Sequence, residues 1–132
     1  MKKMYNYIKK LLIKEEITFT KNGKDIYIYF LINKRKRGYI YATENNESIN
    51  LDIIYVNEKN QNKKIGTSLL KRLKIHTFTS RKPIRLIVTP LSTSVNKRKL
   101  FLFYRYNGFK HVNGKLLQES RSEMIFRYTS LI

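Results

Sequence analysis

The chain has 132 residues, 42% of them hydrophobic, enough for one domain around a single core over 1–132, and not a disordered polycation. Its 28 Lys and Arg against 9 Asp and Glu give a net charge of +19, a field that draws in polyanions and anionic cofactors and repels basic partners. Zero cysteines exclude disulfides, thiolate metal sites and cysteine nucleophiles, and no apolar run approaches the roughly 18 residues of a membrane span, so a cytoplasmic protein without a membrane partner is expected.

Residues 4–14 carry apolar side chains at 4, 5, 8, 11 and 12, a helical spacing. No small-residue cleavage site follows a sustained apolar stretch, so this is read as a helix and not a signal peptide. Asn22-Gly23 signals a turn between two extended runs. Residues 25–32 are apolar on both faces, which predicts a central strand. A basic turn around 34–37 leads to a strand at 38–42, and a polar turn at 43–48 leads to a long strand at 49–56. Three antiparallel strands in succession are the economical arrangement.

Polar residues 57–62 then open into a helix over 63–78 with apolar positions at Ile65, Leu69, Leu70 and Leu73. Pro83 stops its continuation. Residues 84–89 read as a short buried parallel strand. A Ser/Thr loop after Pro90 precedes a helix over 95–107, ended by Gly108. Residues 109–112, a turn at Asn113-Gly114 and residues 122–128 form a terminal hairpin.

The corner after residue 56 carries the clearest chemistry. A loop opening into a helix presents unpaired N–H groups and the positive end of the helix dipole, an anion site suited to phosphate or pyrophosphate. Gly66 removes a Cβ where a ligand or strand must approach the backbone. Asp52 stands in an otherwise apolar strand, where burial of an unpaired charge would be costly and would make it a base of shifted pKa; the other reading is that it reaches solvent or pairs with one of the many cations. Asn50 shares its face by alternation, and the pair would hold a water. His76 and His111 are isolated and lack metal-ligand spacing, so no metal is expected.

Two motifs, Gln61-x-x-Lys64-x-Gly66 and Phe103-Tyr104-Arg-Tyr-Asn-Gly108-Phe109, together resemble the GNAT N-acetyltransferase superfamily in order and spacing over about residues 25–128. In that family an Arg/Gln-x-x-Gly-x-Gly/Ala loop holds the pyrophosphate of acetyl-CoA. The resemblance implies a mixed α/β (α+β) fold of order αβββαβαββ, with a mostly antiparallel sheet and helices on both faces. It implies that backbone N–H groups of Asn62, Lys63, Lys64, Ile65, Gly66 and Thr67 face the pyrophosphate, with Gln61 adding a side-chain donor. It further implies that the Tyr104 hydroxyl protonates the departing thiolate, that Asn96 touches the cofactor, and that a backbone N–H near Tyr55 or Val56 stabilises the oxyanion at a splay between parallel strands. Lys64 departs from the family's first glycine; a lysine does not easily take φ > 0, so either that position is not left-handed or binding geometry is lost.

The function implied is acetyl-CoA-dependent N-acetyl transfer to an amine: a protein lysine or N-terminus, an aminoacyl-tRNA, or a small amine. The alternative is a non-catalytic GNAT-fold module that binds nucleic acid. The runs at 34–37 and 97–99 are the candidate patches for nucleic acid or a nucleic-acid-associated protein, although an AT-rich genome would also enrich Lys, Asn, Ile and Tyr. Monomer and homodimer both stay open.

Overall fold

The computed structural model describes residues 3–4, 13–61, 64–89, 96–112 and 123–128. Four antiparallel strands come first: β1 (Glu15–Asn22), β2 (Asp25–Ile32), β3 (Arg35–Glu44) and β4 (Ile49–Val56). Helix α1 (Ile65–Thr77), β5 (Ile84–Ile87), α2 (Lys97–Tyr106), β6 (Lys110–His111) and β7 (Glu123–Phe126) follow. They form one seven-stranded sheet ordered β1-β2-β3-β4-β5-β7-β6.

Four strands, not three, precede the first long helix. The additional one, β1, is the extended run before Asn22-Gly23. Its Ile17 and Phe19 pack on the core while Thr18 and Thr20 stay exposed, a period-two pattern too short to stand out beside the apolar positions upstream. Gly23 sits at φ +61 in the first hairpin. The second hairpin turns on Asn33 (φ 50) and Lys34 (φ 66), two left-handed residues as a tight two-residue loop requires. The basic residues 35–37 therefore belong to β3 and not to a turn. Of the helix expected over 4–14, residues 5–12 lie outside the described residues, as does the turn at Asn113-Gly114.

β2 is inner, as its composition predicts, but its two faces differ. Ile26, Ile28 and Phe30 point into the core, joined by Ile40 and Ala42 of β3 and by Ile49 and Leu51 of β4. Ile65, Leu69, Leu70 and Leu73 of α1 cover them. Each such side chain contributes about 1.5–3 kcal/mol on burial, so this layer dominates stability. Gly38 makes the approach possible: a Cβ there would stand 2.9 Å from the Tyr55 carbonyl oxygen and 3.1 Å from Ile65. α2 lies beside α1, since Phe103 packs where a Gly66 Cβ would be and Asn107 meets Thr67. The opposite face of β2–β4 presents Tyr27, Tyr29, Tyr39, Tyr41 and Tyr55.

Two irregularities shape β4. Tyr41 pairs with Ile53 and Ala42 with Leu51, so Asp52 is the extra residue of a bulge. On its other side β4 runs parallel to β5 for two residue pairs only, Ile49 with Ile84 and Asn50 with Arg85. Beyond Asn50 the two strands part.

Candidate active site

The parted strands leave the β4 backbone from Leu51 to Val56 without a β5 ladder. Which of its N–H groups face the opening follows from register. The Asn57 N–H donates to the Arg37 carbonyl of β3 at 2.8 Å, so alternation sends the Tyr55 N–H to β3 as well. The Val56 and Ile54 N–H groups point the other way. Of the two amides expected as oxyanion donors, that of Val56 faces the opening, whereas the Tyr55 amide belongs to the sheet. The Tyr55 ring is 42% exposed and lies 5.7 Å from that of Tyr39.

At the mouth of the opening, Asn57 caps a 3-10 turn, Glu58–Asn60, by accepting from the Lys59 N–H. Gln61 follows, and its amide donates to the Val56 carbonyl at 3.3 Å, folded toward the strand. Lys64 is the N-cap of α1 at φ 61, ψ 20. It does adopt the left-handed conformation that a glycine fills in the family pattern. That conformation costs an L-residue about 1–2 kcal/mol. No side chain caps the helix and no acid occupies its first turn, so the dipole and the early N–H groups are available to an anion. Asn62 and Lys63 lie outside the described residues. Ile65 and Gly66 are both buried. The neighbour that Gly66 admits is a ring of α2: a Cβ would stand 2.8 Å from Phe103 Cζ.

The second motif interlocks with the first. Asn107, buried, donates from its side-chain amide to the Phe103 carbonyl at 2.9 Å and to the Thr67 hydroxyl at 3.4 Å. Its own carbonyl accepts from the Lys74 ammonium, which lies over the Phe126 ring. Gly108, at φ +92, ends α2, and the Phe109 N–H returns to the Tyr104 carbonyl at 3.0 Å. Phe109 is 1% exposed and meets Tyr104 edge to face. Thr67 and Asn107 were the less legible pair: the asparagine between Tyr106 and Gly108 reads as a helix stop, yet its amide ties both helices together.

Tyr104 is 4% exposed, and burial pushes its hydroxyl far above the ordinary tyrosine value. The group is thus a neutral O–H donor across the physiological range. Asn96 is the N-cap of α2, its side-chain oxygen accepting from the Arg98 N–H at 2.8 Å. That oxygen serves the helix, leaving only the amide nitrogen to a cofactor.

Of the two readings of Asp52, the solvent-facing one holds and the buried, shifted base does not. Bulging turns it outward, where it is exposed and accepts from the Thr43 hydroxyl at 2.9 Å. Thr43 pairs in register with Asn50, whose side-chain oxygen accepts from Ser48 at 3.3 Å. Asn50 and Asp52 therefore flank one threonine at the point where β4 and β5 separate, with the carboxylate exposed to solvent. Nearby, Tyr41 donates to Asp25 at 2.8 Å, and this bond pushes its hydroxyl up to about 12. The row of tyrosines is legible afterwards as period-two tyrosines at 27/29 and 39/41. His76 stacks on Phe19 at 3.8 Å and His111 lies 4.6 Å from Phe101. Among the described residues no cluster of His, Asp or Glu could hold a metal, and no helix is long and apolar enough to cross a membrane. A cleft of about 690 Å³, lined in part by Phe78, Arg85, Lys110 and Tyr128, shares no residue with the corner.

No family model and no curated protein matches the sequence. Solved structures do resemble it. The anti-CRISPR protein AcrVA5 is 25% identical, with 66% of this chain and 87% of that one covered and a TM-score of 0.56. The PaiA N-acetyltransferase from Thermoplasma acidophilum, in complex with coenzyme A, is 24% identical over 77% of this chain and 60% of its own length, with a TM-score of 0.61. A GNAT family acetyltransferase from Elizabethkingia anophelis with acetyl-CoA bound is 15% identical, with 86% and 98% covered and a TM-score of 0.64. The chain has the fold of the GNAT acetyltransferases, and it spans less than two thirds of the PaiA chain.

Proposed function

We propose that the protein is an acetyl-CoA-dependent N-acetyltransferase acting on an amine of a macromolecule. The observation that carries this reading is the opening of β4 from β5 beside the uncapped N-terminus of α1. A strand lined with undirected backbone donors, next to a helix dipole, suits a molecule that joins an amide-rich arm to a diphosphate. Acetyl-CoA has both parts, and when bound it supplies an activated thioester.

The chain's own groups then have distinct tasks. The first N–H groups of α1 bind the diphosphate, and Gln61 swings from the Val56 carbonyl to join them. The Val56 N–H donates to the carbonyl oxygen as negative charge develops there. The incoming ammonium loses one proton to water ordered by Asn50 and Asp52 before the nitrogen lone pair attacks. As the C–N bond forms and the C–S bond breaks, Tyr104 gives its proton to the sulfur and later recovers one from the new amide nitrogen.

Calorimetric titration with acetyl-CoA tests the first half of this, and release of free thiol in the presence of amine acceptors tests the second. Mass spectrometry of host protein and tRNA fractions, with autoacetylation controlled, names the acceptor class. No heat and no thermal stabilisation by acetyl-CoA would refute the reading. In that case the second reading, a binding module that has kept the fold without the chemistry, is favoured by the lysine at 64 and by the net charge of +19.

A further inference from the structure

The positive charge is not spread evenly. Residues 59–118 hold fifteen Lys and Arg and not one Asp or Glu, while all nine acids lie outside this stretch. A bias of the genome would scatter the acids along the chain, so the partition points to selection on this segment. Both α1 and α2 lie within it. Ion pairs join Lys14 to Glu16, Lys21 and Lys82 to Glu44, and Arg85 to Glu123, and Lys71, Arg98 and Arg105 belong to none of these four. By contrast the tyrosine face of the sheet is mixed in charge, with Asp25 and Asp52 beside Lys36, whose ammonium lies 4.1 Å from the centre of the Tyr29 ring.

The outward side of α2 is a defined stripe. Arg98, Lys99, Leu102, Arg105 and Tyr106 are all exposed and recur at helical spacing. Leu102 is 50% and Tyr106 85% exposed. From Arg98 to Arg105 the stripe runs about 10 Å, the axial rise of about three successive phosphates on one strand. Lys71 and Ile75 of the adjoining α1 are exposed as well. An almost free tyrosine ring between cations offers a stacking platform, which a phosphate backbone with unpaired bases uses and an acidic protein does not.

We propose that the outer surface of α1 and α2, centred on Lys71, Arg98, Arg105 and Tyr106, is a docking surface for single-stranded nucleic acid. The cations track the backbone and Tyr106 stacks on a base. The proposal is independent of acetyl transfer, because these side chains take no part in the corner between β4 and α1.

Fluorescence anisotropy with a labelled single strand of about 20 nucleotides and the matching duplex, read at several salt concentrations, tests it. The single strand should bind more tightly than the duplex, and Tyr106→Ala should weaken the single strand selectively. The triple variant Lys71→Gln/Arg98→Gln/Arg105→Gln should flatten the log–log salt slope for the single strand by about 2, at about 0.7 per lost phosphate contact. A control with the same loss of charge elsewhere, Lys14→Gln/Lys24→Gln/Arg127→Gln, should flatten it far less. Equal effects of the two triples would overturn the proposal in favour of a diffuse field. Equal affinity for the duplex, or equal competition by polyglutamate, would overturn the single-stranded assignment. Parallel loss of the thermal stabilisation by acetyl-CoA in the first triple would assign the cations to the anionic carrier and overturn it too.

Discussion

Replacing Lys64 by glycine isolates the strain at the helix entrance. The residue sits at φ 61, ψ 20, where an L side chain costs about 1–2 kcal/mol and glycine costs nothing. Glycine also gives the unfolded chain more freedom, which opposes the gain by roughly 0.5–1 kcal/mol. The net expectation for Lys64→Gly is a stabilisation of about 0.5 kcal/mol. A chain of 132 residues unfolds with an entropy near 0.3 kcal/mol per kelvin, so Tm should rise by about 2 °C. Lys64→Ala keeps the Cβ and removes only the ammonium, so it separates backbone from charge. It should leave Tm within about 1 °C of the parent. Calorimetric scans of the three proteins, with urea midpoints as a second measure, decide the matter. A Tm for the glycine variant at or below that of the alanine variant would refute the argument that the backbone is strained there.

Gly66→Ala places a methyl 2.8 Å from Phe103 Cζ and should destabilise by about 1–3 kcal/mol in urea unfolding; adding Phe103→Leu should restore part of the loss. Tyr104→Phe should lower thiol release by about 10²-fold or more while calorimetry gives an unchanged acetyl-CoA affinity; unchanged turnover would remove Tyr104 as the acid. Glu44 accepts from Lys82 and pairs with Lys21, and these cations hold its carboxyl below the usual value. A lowered folded pKa means stability that is present above the ordinary carboxylate value of about 4.3 and is lost as pH falls below it. Glu44→Gln should therefore lower Tm at pH 7 and converge with the parent at pH 3, as scans at the two pH values would reveal.

The element order past β4 and both helices were legible because their signals are local: Gly108 stops a helix, Leu69, Leu70 and Leu73 mark one face, and β-strand runs are bounded by turns. The same locality explains the misses. β1 has only Ile17 and Phe19 to announce it. The bulge at Asp52 depends on how β3 and β4 pair, and no single-strand pattern reveals that a residue is turned out of register. The choice between Tyr55 and Val56 as donor likewise rests on pairing with β3, not on residue type. Lys64 was read as a residue that avoids φ > 0, but the closing geometry of the loop on α1 overrides the preference of one side chain. Asn107 could be seen as a cap; that its amide would clasp Thr67 is a fact of helix packing.

The seam between β4 and β5 has two rungs, against seven between β3 and β4 on one side and four between β5 and β7 on the other. On the proposed reading, an occupant of the opening takes hydrogen bonds that β5 would otherwise have taken and acts as a temporary strand, so its binding would add cohesion between β1–β4 and β5–β7.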